Sequence, residues 1–195
     1  MEGIKLYMIL LGSTPQGRFT EQHDIFFGIG KSLSDLVPDM IASWPEANGK
    51  IHIDSWREVT VVEDFKVHIV QKAQMDTEDR KPGADKIFFL NLGGYKPGDL
   101  EEYHYKILVV APDKSQAIQK AKASAFYIHT GFKGAESHID DKYGVDVDDI
   151  YEIEDILSES VKTKFEIKLE KSENLIPDEP HVGYVAISKL MAGKS

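Results

Sequence analysis

Gly12-x4-Gly17-x3-Glu21-x-His23 returns later in the chain as Gly93-x4-Gly98-x3-Glu102-x-His104, each of the four residues displaced by 81 positions. An internal repeat sets the frame in which every other segment is read. The segments flanking the two motifs follow the same displacement. Lys5–Leu11, a near-continuous apolar run ending at Gly12, suits a strand buried on both faces, and Lys86–Leu92 matches it. After a Pro- and Gly-containing loop, Glu21–Gly28 resumes as a second strand, matched by Tyr105–Ala111. Ser32, ahead of Leu36, Val37, Met40, Ile41 and Trp44, heads a helix that Pro45 closes, with Pro38 tolerable only near its start. Asp113, three residues before Gln116, heads an Ala-rich helix in the same register, nine residues after His104 as Ser32 is nine after His23.

Lys50–Asp54 alternates, with Ile51 and Ile53 on one face and His52 and Asp54 on the other. Val59–Val70 adds one strand, or two broken near Glu63 and Asp64. His138-Ile139-Asp140 repeats His52-Ile53-Asp54 at a displacement of 86, which places a five-residue insertion near Thr130–Ala135. Val145, Val147, Tyr151 and Ile153 then match Val59, Val61, Phe65 and Val67. The polar stretch 71–85 reads as a connector. In the tail, Phe165, Ile167 and Leu169 alternate with charged residues, and Val182–Ile187 offers one more strand.

The expected fold is therefore α+β: two tandem strand-strand-helix-strand-strand repeats forming a pseudo-twofold pair of mixed sheets, with a C-terminal β-hairpin or tail. A helix joining strands two and three predicts parallel neighbours there, while the loop between strands one and two allows an antiparallel pair. The expected units are 1–72, a linker at 73–85, a second repeat at 86–157, and a two-stranded tail at 158–195. The tail strands suggest a homodimer by capping or swapping of an edge.

Composition narrows the function classes. The chain has 195 residues, 42% hydrophobic and 29% charged, with no Cys, so disulfides, thiolate zinc sites and thiol nucleophiles are excluded. A formal net charge of -10, from 23 basic and 33 acidic residues, argues against nucleic acid as a partner. No membrane-spanning stretch and no basic n-region at the N-terminus are present, so the expected location is the cytoplasm.

Glu21 and His23, two apart at a strand start, share a face, as do Glu102 and His104. His52 with Asp54, and His138 with Asp140, have the same spacing. Such imidazoles and carboxylates can ligate a divalent metal or act as a general acid and base. Alternatively each pair hydrogen-bonds a loop end or neighbouring strand, and presence in both halves favours that architectural role. Attention then moves to residues the halves do not share. Arg18 and Asp24 near the loop, with Trp56 and Arg57 after the His-x-Asp pair, can form a pocket whose Arg fork binds carboxylate or phosphate. Gly30-Lys31-Ser32 lies between a strand and a helix but lacks the first glycine of a phosphate-binding loop, since position 25 is Ile25.

Leu10-Leu11-Gly12, Gly17-Arg18, Thr20-Glu21-Gln22-His23-Asp24, Phe27-Gly28-Ile29-Gly30 and His52-Ile53-Asp54-Ser55-Trp56-Arg57-Glu58-Val59 resemble the signatures of an uncharacterised bacterial family, domain of unknown function 1543. The resemblance covers the first unit and implies a divergent second copy, which lacks the Arg after the loop glycine and the Asp after the His. It implies a cytoplasmic domain with no established reaction. The leading expectation is a non-enzymatic binding module taking a small anionic ligand or a protein partner at the first-repeat loop. Ligand-binding candidates are Arg18, Glu21, His23, Asp24, His52, Asp54, Trp56 and Arg57. The alternative is a metal-dependent, hydrolase-like enzyme using Glu21, His23, His52 and Asp54, with a divalent metal as cofactor.

Overall fold

The structure is a computed structural model that describes residues 3–72, 83–95, 100, 102–130 and 146–192. It divides into two compact units, Met1–Asp76 with Leu157–Ser195, and Thr77–Ile156. The class is α+β, with antiparallel sheets.

In the first unit, β1 (Lys5–Ser13) is the central strand, buried along nearly its whole length as its unbroken apolar run requires. It pairs antiparallel with β2 (Gln22–Gly30) on one side and β3 (His52–Val59) on the other. Helix α1 (Leu33–Ser43) connects β2 to β3 and crosses from one side of β1 to the other. The two strands joined by the helix therefore never touch, and the expected parallel neighbours and mixed sheet are replaced by an antiparallel one. Insertion of β1 between them is the physical reason. Beyond β3, the two-residue strand β4 (Val61–Val62) turns at Glu63-Asp64 into β5 (Phe65–Gln71).

The tail forms no hairpin. Its strand β9 (Phe165–Lys171) pairs antiparallel with β5, and β10 (His181–Ala186) pairs antiparallel with β3, so the two strands complete different sheets of the same unit. Pro177 and Pro180 in the connection, which cannot donate to a ladder, keep the intervening segment out of both. Asp178 ties that connection down: its carboxylate accepts from the backbone N–H of Thr60 at 2.7 Å and of Val61 at 2.9 Å, and from the Thr60 hydroxyl.

Alternation along β1 sets the two faces of the sheet. Tyr7, Ile9 and Leu11 face α1 and pack with Leu36, Val37, Met40, Phe26 and Ile53 in one core. Gly28 and Gly30 on β2 admit the helix, since a Cβ at either would lie 3.0 Å or less from a core side-chain atom. Asp35 caps the helix start by accepting from the Lys31 N–H and the Ser32 hydroxyl. Gly30-Lys31-Ser32 is thus a helix entry. Leu6, Met8, Leu10 and Gly12 face the other way.

In the second unit, β6 (Lys86–Tyr95) lies between β7 (Glu102–Ala111) and β8 (Asp146–Glu152), both antiparallel to it. Helix α2 (Lys114–Thr130) follows β7 and packs Ala117 and Ala121, both fully buried, against Phe88, Leu90, Leu92 and Val109. Asp113 heads it as expected: its carboxylate accepts from the Gln116 backbone N–H and side-chain amide, each at 2.9 Å, and these bonds hold the Asp113 carboxyl below its usual range. Four short helices complete the described chain: a 3-10 turn (Pro45–Ala47), α3 (Ile153–Ile156), α4 (Glu159–Lys162) and α5 (Ile187–Ala192). Among the described residues no helix is long and apolar enough to cross a membrane.

Strand pairing repeats between the units. Lys5 pairs with Gly30 and Gly12 with His23, while Lys86 pairs with Ala111 and Gly93 with His104, all displaced by 81. On the other flank, Gly12 faces His52 with a bulge at Leu10/Leu11, and Gly93 faces Asp146 with a bulge at Asn91/Leu92. A Lys5–Glu58 ion pair across the first sheet has its match in Lys86–Glu152 across the second. The counterpart of His52-Ile53-Asp54 in strand register is therefore Asp146-Val147-Asp148, at a displacement of 94. His138 and Asp140, proposed for that place, lie outside the described residues.

Candidate metal centre

Gly12 is flanked by an imidazole on each side, His23 on β2 and His52 on β3. Residues directly opposite on neighbouring strands share a face, so both rings stand over the glycine on the side of the sheet away from α1. Glu21 reaches the same place from the residue just before β2. Asp54 is delivered by the bulge. Between Ile53, which pairs with Leu11, and Ser55, which pairs with Leu10, Asp54 is the extra residue, and its carboxylate turns over Gly12 beside His52.

The four side chains form a closed ring of contacts. His52 Nε2 lies 3.0 Å from Glu21 Oε1 and 3.2 Å from Asp54 Oδ1. His23 Nε2 lies 3.6 Å from Glu21 Oε2 and 3.2 Å from Asp54 Oδ2. Each carboxylate thus presents one oxygen to each imidazole. The inner members are the more buried, His52 at 13% and Asp54 at 27% exposed, while Glu21 and His23 are each 44% exposed, so the ring opens to solvent on one side.

Two observations test whether a cation fits. Asp54 Oδ2 is buried with no hydrogen-bond partner, although His23 Nε2 is 3.2 Å away. A buried carboxylate oxygen left unsatisfied is costly, and a metal ion among these donors relieves it. Three of the four contacts, at 3.0–3.2 Å, are also those of imidazole–carboxylate hydrogen bonds, and among the described residues the group with one ligand atom per residue all within 4.8 Å is Glu102, His104 and Asp148, so one ion shared by the first ring requires its side chains to close in. Gly12 supplies the second observation. A Cβ there would lie 2.4 Å from His52 Nε2 and 2.6 Å from Asp54 Oδ2. Its backbone is ordinary extended strand, so the glycine is needed for space and not for conformation. The ligand set of two imidazoles and two carboxylates suits zinc, iron or manganese.

The remaining candidates are not brought to this ring. Arg18 is exposed in a turn where its N–H donates to Pro15 O at 3.1 Å and Gly17 takes a positive φ of 84°. Asp24 is exposed and its Oδ1 accepts from the Ile25 N–H at 2.7 Å. Trp56 and Arg57 fall on opposite faces of the sheet. Strict alternation would set Trp56 beside His52 and Asp54, but the bulge shifts the register by one, pairs Trp56 with Ile9, and packs it against the α1 core. Its indole stacks on His181 of β10, with centroids 4.0 Å apart. Arg57 lies on the other face, its Nη2 3.4 Å from Met8 Sδ and its buried Nε unpaired. Burial lowers its pKa, opposed by Asp178. Sequence spacing had no means of finding Tyr184, which comes from the tail: its ring lies 4.5 Å from that of His52 and is largely exposed.

Residues 18–69 match the model of a family described as Domain of Unknown Function (DUF1543), a segment that contains all four members of the ring. The chain is also similar to the crystal structure of a protein Il1583 from Idiomarina loihiensis, at 22% identity and a TM-score of 0.64, over 94% of this chain and 97% of that one. That likeness concerns the fold. No curated protein matches.

Proposed function

We propose that this protein is a divalent-metal-binding protein whose first site is Glu21, His23, His52 and Asp54. The observation that carries the reading is the convergence of two imidazole nitrogens and two carboxylates over a glycine whose Cβ would displace the tips of His52 and Asp54. The two units are read as copies of one metal-site framework: a central strand with a glycine near its end, flanked by a ligand-bearing strand on either side. Equal pairing registers and equal bulges support that reading.

A metal-dependent hydrolase is the second reading. It is favoured by the half-exposed Glu21 and His23, which leave one side of the ring open to a small molecule. A bound ion supplies a Lewis acid and lowers the pKa of a bound water. The protein's own contribution is to hold the ligands on two strands and, through the exposed Tyr184 ring beside His52, to offer a stacking surface. Recognition of a small anion through the Arg18 loop receives less support, because Arg18, Trp56 and Arg57 stand in three separate surroundings.

The test is metal content and thermal stability of protein purified without chelator. A site binding zinc raises the melting temperature, since an ion at a hundred times its Kd stabilises the fold by about 2.7 kcal/mol. The double variant His23→Ala/His52→Ala loses one equivalent of zinc and the part of the shift that goes with it. Equal zinc content in wild type and double variant would overturn the proposal.

A further inference from the structure

We infer that the second unit holds a separate divalent-cation site, formed by Glu102, His104 and Asp148 over Gly93, and that it prefers a harder ion than the first. The three residues each offer a ligand atom within 4.8 Å of the others. His104 Nε2 lies 3.3 Å from Asp148 Oδ2 and 4.0 Å from Glu102 Oε2. A set of this kind on a surface is common without an ion, so the argument rests on the glycine beneath it. A Cβ on Gly93 would lie 2.4 Å from Asp148 Oδ2 and 2.7 Å from Glu102 Oε1. The carboxylates occupy the volume that any other residue's side chain would fill. Gly93 sits in an ordinary extended strand, so its backbone does not ask for glycine.

The construction is independent of the first site in sequence and equal to it in register. His104 pairs across from Gly93 on β7, and Asp148 is the bulged residue on β8, as His23 and Asp54 are on their strands. One position differs in kind. Where His52 faces Gly12, Asp146 faces Gly93. The second set, Glu102, His104 and Asp148, has one imidazole among carboxylates, and the first has two. Imidazole favours zinc, nickel and copper, whereas carboxylate oxygen favours manganese and magnesium. Zinc outbinds manganese at most protein sites, so the preference shows as a ratio between the sites and not as an order at either one.

The experiment uses the full chain in two backgrounds, His23→Ala/His52→Ala, which keeps the second site, and Glu102→Gln/Asp148→Asn, which keeps the first. Mn2+ is titrated by its electron paramagnetic resonance signal, and Zn2+ by competition with a chromophoric chelator. The first background binds one equivalent of Mn2+, and adding Gly93→Ala weakens that binding at least tenfold while the far-ultraviolet circular dichroism stays unchanged. The Kd ratio of Mn2+ to Zn2+ is at least tenfold smaller in the first background than in the second. Absence of Mn2+ binding in the first background, or binding indifferent to Gly93→Ala, overturns the site. Equal ratios in the two backgrounds overturn the assigned preference. Zinc binding in the second background reports on the first site alone, so failure of one site is told apart from failure of the other.

Discussion

Gly12→Ala isolates the metal reading from the fold, because it adds a single methyl group and removes no ligand. The new carbon would stand 2.4 Å from His52 Nε2 and 2.6 Å from Asp54 Oδ2. An ordinary carbon-to-nitrogen contact is about 3.4 Å, so each tip has to retreat by roughly 1 Å, against a tolerance of about 0.2 Å in metal–ligand distance. Both atoms are the far ends of rotatable side chains and the ring opens to solvent, so the retreat is cheap for the metal-free protein. Alanine in a strand interior also loses less conformational entropy on folding than glycine, a gain of about 0.5–1 kcal/mol. The expected outcome is a metal-free protein as stable as wild type or slightly more so, with zinc affinity at the first site reduced about a hundredfold, equivalent to about 2.7 kcal/mol. Isothermal titration of chelator-treated protein, carrying Glu102→Gln/Asp148→Asn to silence the second unit, measures the affinity, and a thermal melt measures the stability. Zinc affinity within threefold of the parent would refute the reasoning. So would a loss of several kcal/mol in the metal-free melt, which would make Gly12 a requirement of the sheet.

Two further predictions concern the framework. Burial, and then the Glu58 carboxylate, raise the Tyr7 phenol above its ordinary value, so the folded state favours the neutral ring; that stabilisation is complete below about pH 10 and is lost as pH rises through the raised folded value. Tyr7→Phe keeps the buried ring and loses the hydroxyl's bond to Lys31 O at 3.3 Å, so its stability relative to wild type improves as pH climbs from 9 to 12; denaturant melts giving parallel pH curves would count against this. Asp178→Ala removes the acceptor for Thr60 and Val61 and costs about 2 kcal/mol in urea melts, with the β10 amides exchanging faster than those of β1; uniform exchange across both strands would show that the tail is held by other contacts.

Much of the framework was legible because it rests on local chemistry. The Lys5–Leu11 run, the Asp113 cap with Gln116 three residues on, the alanine face of α2 and the break at Glu63-Asp64 each declare themselves over a few residues. What depended on strand order was not legible. A strand-helix-strand succession reads as parallel neighbours, and nothing in Leu33–Ser43 says that it crosses over an intervening β1. Of the tail strands β9 alternates cleanly and β10 does not, and neither carries a mark of which edge it completes. Bulges were the costliest omission. Period-two counting groups Trp56 with His52 and Asp54, and a search for repeated letters finds His138-Ile139-Asp140; the register that relates the units is carried by Asp146-Val147-Asp148, in which the histidine has become aspartate.

Repetition of Glu-x-His in both units invites an architectural explanation, since a shared fold needs shared supports. The geometry weighs against it. Glu21 and His23 are half exposed, and the contacts of their polar tips run to each other, to His52 and to Asp54, not to the strands they sit on. A support would be buried and bonded to backbone, as Ser13 is through its 2.7 Å bond to Lys50 O, or Asp178 through Thr60 and Val61. The repeated glycines give the same answer from below: Gly12 and Gly93 have ordinary strand conformations, and what a larger residue would displace is the tips of His52 and Asp54 at the first and of Asp148 and Glu102 at the second. A fold that keeps a glycine for its backbone would show a turn, a positive φ or a close helix, as Gly17 and Gly28 do. Here the central strand gives up a side chain and polar groups from both flanking strands meet over it, an arrangement that costs the sheet packing and that a bound cation would repay.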